Sequence, residues 1–187
     1  MTRHILLPSL LLAIVAMPTT AHHGGDDMDE TMAEREAAFE PTDLLQVPQP
    51  DLSDADGNAF RLERLDDRVV VLSFAPEGCG APCEDQQVLL QDVQAEVNDT
   101  LMRDQVVFLT VGAHDGDGWD ETNWRALSGD DGKAADSFAA LSERVPDAPM
   151  VHVIARDTRH AAILHGADFN SVNLIVYLNA LTNASRQ

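Results

Sequence analysis

The sequence predicts an α/β domain built around a parallel strand–helix–strand unit with two cysteines at its first turn. Three stretches carry that prediction. Residues 69–74 (Val-Val-Val-Leu-Ser-Phe) form an apolar, β-branched run of the length a core strand needs. After Cys83, Val88, Leu89, Leu90, Val93, Val97 and Leu101 recur at spacings of three and four. That is the stripe of an amphipathic helix of roughly five turns. Residues 105–111 (Gln-Val-Val-Phe-Leu-Thr-Val) form a second buried strand. A crossover of this length between two buried strands makes a right-handed, parallel βαβ unit.

The turn inside that unit reads Pro76-Glu77-Gly78-Cys79-Gly80-Ala81-Pro82-Cys83, and its two cysteines are the only ones among 187 residues. Gly78 and Gly80 permit a tight turn. Pro82 suits the first turn of a helix, where its missing N–H costs nothing. A thiol at a helix start meets unpaired backbone N–H groups and the positive end of the helix dipole, and both favour the thiolate. A second thiol one turn away can resolve a mixed disulfide or share a soft ion such as Cu(I). Glu77, Glu84 and Asp85 flank the pair and oppose the thiolate. A purely structural disulfide fits the same residues, although a bridge closing so short a loop constrains the unfolded chain little.

Taken in order, residues 1–21 read as a cleaved secretory signal: Arg3 and His4, an apolar run from Ile5 to Ala16, then Thr19-Thr20-Ala21. Export through a periplasm or similar compartment puts the cysteines in oxidising surroundings. Residues 22–43 read as an acidic, flexible leader with one short helix over 29–39. Its His22-His23 start can bind Cu(II) or Ni(II) through nitrogen. Residues 44–187 then form one domain. Asp54-Ala55-Asp56-Gly57-Asn58 marks a hairpin between Leu52 and Phe60. Residues 112–122 form a solvated Gly/Asp-rich loop around His114, without the spacing of a calcium loop. Residues 123–129 form a short strand or turn. A helix over 133–145 points Ala135, Phe138, Ala139, Leu141 and Ser142 inward. Residues 150–155 and 160–165 make an antiparallel pair, in which simple alternation puts His160 and His165 on opposite faces. A closing helix over 169–181 buries Leu174, Ile175, Tyr177, Leu178 and Leu181.

Acidic residues outnumber basic ones 32 to 12, for a formal charge of −20. That balance argues against nucleic acid or an anionic membrane surface as partner. The acids are spread along the chain, as on a generally solvated surface.

This order of elements, with cysteines at the first buried βα turn, resembles the thioredoxin fold: a central mixed sheet flanked by helices. Two stretches resemble the SCO/SenC family of copper-site assembly proteins. One is Asp54-Ala55-Asp56-Gly57 followed by residues 70–74 and the C-x3-C turn Cys79-Gly80-Ala81-Pro82-Cys83. The other is Asn123-Trp124-Arg125-Ala126-Leu127-Ser128-Gly129. The resemblance spans about residues 44–181. It implies thiol and copper handling (Cu+ or Cu2+) at Cys79 and Cys83, with a cysteine-bearing protein partner such as a copper-binding subunit of cytochrome oxidase. The region 145–150 holds no histidine where that family has its third ligand. His114 and His152 are the candidates to complete a metal site. Pro149 stands where thioredoxins place a cis-proline beside the active cysteines, which makes it a third candidate catalytic position.

Two other readings fit the residues. One is a general thiol–disulfide oxidoreductase without copper, in which Cys79 attacks and Cys83 resolves. The other is a non-enzymatic binding module stapled by Cys79–Cys83. A peroxidase of the Thr-x-x-Cys type does not fit, because Pro76 occupies the threonine position.

Overall fold

The computed structural model describes residues 26–112, 116–145 and 148–184. Four helices are formed by Asp26–Arg35 (α1), Ala81–Asn98 (α2), Asp131–Ala139 (α3) and Ser171–Asn183 (α4). Eight strands are formed by Phe39–Gln46 (β1), Leu52–Ser53 (β2), Ala59–Phe60 (β3), Val69–Ala75 (β4), Val106–Gly112 (β5), Trp124–Gly129 (β6), Met150–Ile154 (β7) and Arg159–His165 (β8). They join in one mixed sheet, ordered β1-β8-β7-β4-β5-β6-β2-β3. Strands β4, β5 and β6 run parallel, and the other neighbours pair antiparallel.

All seven side chains of β4 are buried, because the strand is covered on both faces. Alternation splits them. Val69 and Val71 point into a layer with Leu90, Val93 and Val97 of α2, Leu174, Tyr177 and Leu178 of α4, and Met32 of α1. Val70, Leu72 and Phe74 point into the opposite layer with Ala134 and Phe138 of α3. This two-layer burial is why residues 69–74 read as a nearly continuous apolar run, with Ser73 its one polar member. The parallel βαβ unit, the hairpin and the thioredoxin-like arrangement predicted from sequence are all present.

Several local expectations are corrected. Residues 26–43 are not a loose leader. Met32 and Phe39 are buried, the Tyr177 hydroxyl donates to Asp29 at 2.8 Å, and β1 pairs with β8. The strand was illegible because it carries Pro41 and acidic residues, which an edge strand tolerates. Its register shifts between Pro41 and Leu45. Helix α2 stops at Asn98, so Leu101 falls in a 3-10 turn and is 91% exposed. On α3 Phe138 and Ala134 are buried and Ala135 packs partly buried against the same cluster; the helix starts two residues earlier than expected and ends at Ala139.

At the C-terminal end of the central strands, β5 crosses close to β4. A Cβ on Gly112 would stand 2.3 Å from the Ala75 carbonyl oxygen, and Gly112 has φ 116°. Only glycine serves there. Gly112→Ala should therefore cost at least about 1–3 kcal/mol in urea unfolding. Gly132→Ala, in the open first turn of α3, should cost nothing measurable.

Candidate active site

The cysteine turn is set by its backbone. The Cys79 N–H donates to the Pro76 carbonyl at 3.1 Å. Gly78 and Gly80 take φ values of 82° and 67°, open to glycine at little cost. Gly80 precedes the first turn of α2, and its carbonyl accepts from Cys83 and Glu84 N–H, each at 3.1 Å. Pro82 sits inside that first turn, as expected.

Cys79 and Cys83 form a disulfide with a Cα separation of 5.8 Å. Their surroundings differ. Cys79 is half-buried at the mouth of a cleft, whereas Cys83 is 4% exposed. The Cys83 Sγ lies 3.7 Å from the Phe74 carbonyl oxygen, which the reduced thiol can use as acceptor. The cleft has a volume of about 400 Å³, and its wall includes Pro76, Cys79, Glu77, Glu84, Val88 and Gln91.

Beneath the turn runs a buried polar chain. The Trp124 indole N–H donates to Thr110 Oγ1 at 3.1 Å, and that hydroxyl donates to Gln87 Oε1 at 3.0 Å. Gln87 Nε2 donates to Ser73 Oγ at 3.0 Å. The chain ties α2 to β4, β5 and β6 directly behind Cys83. Gln94 repeats the device about two turns later, donating to Asn123 Oδ1 at 2.7 Å. Sequence reasoning missed these residues. The signal was there, since Gln86, Gln87 and Gln94 fall on the helical period of Leu90, Val93 and Val97.

Pro149 lies just ahead of Met150 and Val151, and Val151 pairs with Ser73. The antiparallel direction carries Pro149 toward the end of β4 that leads to the cysteines. Its carbonyl accepts from Gly166 N–H at 2.7 Å, and the Gly166 carbonyl accepts from Gln86 Nε2 at 2.8 Å. Two bonds thus connect Pro149 to α2. The expected cis form is corrected: no peptide bond among the described residues is cis. Trans is the lower-energy form of an X–Pro bond, and the Pro149 carbonyl meets the Gly166 amide in that form.

His152 does not join the cysteines. It is fully buried on the α3 face of the sheet, with the Phe138 ring centroid at 5.0 Å and the Phe74 centroid at 5.8 Å. Helix α2 covers the other face. His114 and His22-His23 lie outside the described residues. Among the described residues no group of three His, Cys, Asp or Glu side chains is placed to hold a metal.

His160 and His165 are corrected too. Val153 pairs with Ala162 and Ile154 with His160, so Ala161 is an extra residue that resets the alternation. His152, His160 and His165 therefore share one face. The Thr42 hydroxyl donates to the His160 carbonyl at 3.0 Å and accepts from His160 Nδ1 at 2.8 Å. His160 Nε2 then accepts from His152 Nδ1 at 3.0 Å. That leaves His152 Nε2 an unprotonated, buried nitrogen without a partner. Beside them, His165 Nε2 meets the Glu40 carboxylate at 2.6 Å. Ser142 Oγ and the Glu143 N–H also donate to Glu40. Burial alone would raise the Glu40 pKa, but these hydrogen bonds and the charge of His165 together lower it.

Fold and turn define a thioredoxin-like protein with a disulfide at its first buried βα turn. No family model matches the chain, and no curated protein matches it. Solved structures do. BsSco, a member of the Sco family of cytochrome c oxidase assembly proteins described for a disulfide switch, superimposes with a TM-score of 0.61 at 14% identity, over 78% of this chain and 98% of that one. Arabidopsis thaliana ScoI with copper bound gives 0.51 at 12% identity, over 71% and 96%. MTB dsbF, in mixed oxidised and reduced forms, gives 0.51 at 20% identity, over 73% and 100%. At these identities the likeness is one of fold.

Burial holds His160 down to about 4, against a small upward pull from the Glu40 charge. Burial, then the charges of His160 and His165, holds His152 well below its ordinary 6.5. The unfolded His160, at its ordinary 6.5, takes up a proton that the folded one refuses. Between those values the unfolded chain binds more protons, so stability rises with pH. We expect on the order of 3 kcal/mol of stability from His160 to be lost as pH falls from about 6.5 through about 4. Urea unfolding across that range measures the loss. Imidazole nitrogen shifts at pH 6 should show His152 and His160 neutral.

Proposed function

We propose that this chain is an exported, SCO-like thioredoxin-fold protein that exchanges disulfides with the cysteines of a protein partner. The copper-accepting subunit of a cytochrome oxidase is the partner that the SCO likeness favours. The observation that carries the reading is the pairing of a half-buried Cys79 with a buried Cys83 at the start of α2, opening on a cleft. Only the outer sulfur can be reached by a second protein.

In the reducing direction, the Cys79 thiolate attacks one sulfur of the partner's disulfide. The partner S–S bond breaks, a mixed disulfide forms, and the leaving thiolate takes up a proton. Cys83, deprotonated near the N-terminus of α2, then attacks the Cys79 sulfur. The partner leaves as a dithiol, carrying two electrons more, and Cys79–Cys83 is again a disulfide. A dithiol reductant of the same compartment restores the reduced form. Pro149, beside the end of β4, is proposed to border the partner segment. Export rests on the signal-like residues 1–21; no helix among the described residues is long and apolar enough to cross a membrane.

Cys83→Ser should trap a mixed disulfide with partner proteins or a model disulfide peptide, visible on non-reducing gels. Cys79→Ser should trap none and should have less than about 1% of wild-type exchange. Equal trapping by both variants would overturn the assignment of roles, and full exchange without either cysteine would overturn the reading itself.

A copper-handling role is the finer form of this proposal. Cys79 and Cys83, when reduced, are two soft donors suited to Cu(I). No third ligand stands beside them among the described residues. Anaerobic competition with a chromogenic Cu(I) chelator decides it. One-to-one binding lost in Cys79→Ser would support copper handling; weak binding would leave disulfide exchange alone.

A further inference from the structure

We infer that the cleft at the disulfide takes a cationic segment: a partner cysteine flanked by lysine or arginine and an apolar residue. The inference rests on the disulfide-exchange reading and names its substrate class.

The first observation is the wall of the cleft. Glu77 and Glu84 line it on either side of Cys79-Gly80, and neither carboxylate has an ion-pair partner among the described residues. Among the described residues, no lysine, arginine or histidine lines it.

The second is the absence of compensating charge nearby in the chain. From Val69 to Met102 there is no lysine, arginine or histidine, while Glu77, Glu84, Asp85, Asp92, Glu96 and Asp99 fall within it. The whole of β4, the turn and α2 is therefore anionic, so the field at the cleft is not cancelled by its own scaffold. Like charges at such a mouth repel an anionic disulfide, and opposite charges raise the rate of encounter.

The third is Val88, 58% exposed, one turn beyond Glu84 on the cleft wall. An apolar side chain held in water beside a reactive sulfur suits a short apolar contact from the partner. Together the wall offers carboxylates at the rim and one apolar foothold, within reach of Cys79.

The test uses three short peptides, each with one internal disulfide, flanked by lysine, by glutamate or by neutral serine. The full chain is reduced, freed of reductant and mixed with each peptide in a stopped-flow single turnover. At about 20 mM salt the lysine peptide should react roughly tenfold faster than the glutamate peptide. The ratio should fall toward one at about 0.5 M salt. It should also fall severalfold in Glu77→Gln/Glu84→Gln and in Glu84→Gln alone. The ratio within one variant cancels any change that the substitutions make to the intrinsic reactivity of Cys79. Val88→Ser should slow a lysine peptide carrying leucine beside its cysteine, and not the one carrying serine.

Equal rates for lysine and glutamate peptides, with normal reaction of the neutral one, would overturn the inference and leave disulfide exchange standing. A preference that persists unchanged in both glutamate variants would overturn the assignment to this wall. Failure of the folded wild-type chain to react with any of the three would overturn the exchange reading itself.

Discussion

The complete burial of β4 is the constraint from which the rest of the molecule follows. A strand covered on both faces has no freedom to slide, since a shift of one residue would exchange the α2 and α3 layers. Ala75 is its last residue, and the chain must leave the sheet there. The close approach of Gly112 to the Ala75 carbonyl seals the neighbouring strand against that exit. The cysteine turn is thus delivered to a fixed point, at the mouth of the parallel unit.

Holding the turn still is the task of polar groups more than of apolar ones. Gln86 and Gln87 follow Cys83 within one turn, and both reach away from α2: Gln87 to Ser73, and Gln86 to the Gly166 carbonyl that leads on to Pro149. Gln87 has partners at both ends of its amide, which fixes the angle of α2; Gln86 is held through its Nε2 alone, and its buried Oε1 has no partner. The tryptophan segment that resembles the SCO family belongs to this device. Trp124 ends the hydrogen-bonded chain through Thr110.

The opposite layer has a different character. The extra residue Ala161 turns His160 toward His152, and Thr42 from β1 closes the line. Glu40, on the same strand, gathers His165, Ser142 and Glu143. So β1, which looks like a polar leader in the sequence, is fastened by its polar residues. The acids that suggested disorder include one that serves as an internal acceptor.

What the sequence by itself determined is the central unit: the strand, the glycine-rich turn with its two cysteines, the long helix and the second strand. Those elements are local, and their patterns of period and length survive without knowledge of neighbours. The position of Cys79 and Cys83 at a βα turn was legible for that reason, as was the acidic setting around them. Tertiary structure alone decided which sulfur is sheltered, that Pro149 is trans, that His152 faces away from the cysteines, and that residues 39–46 form an edge strand. Each of these depends on pairing across the sheet. A one-residue bulge, a register shift or the covering of one face by a distant helix changes where a side chain points, and no local pattern in the chain records it.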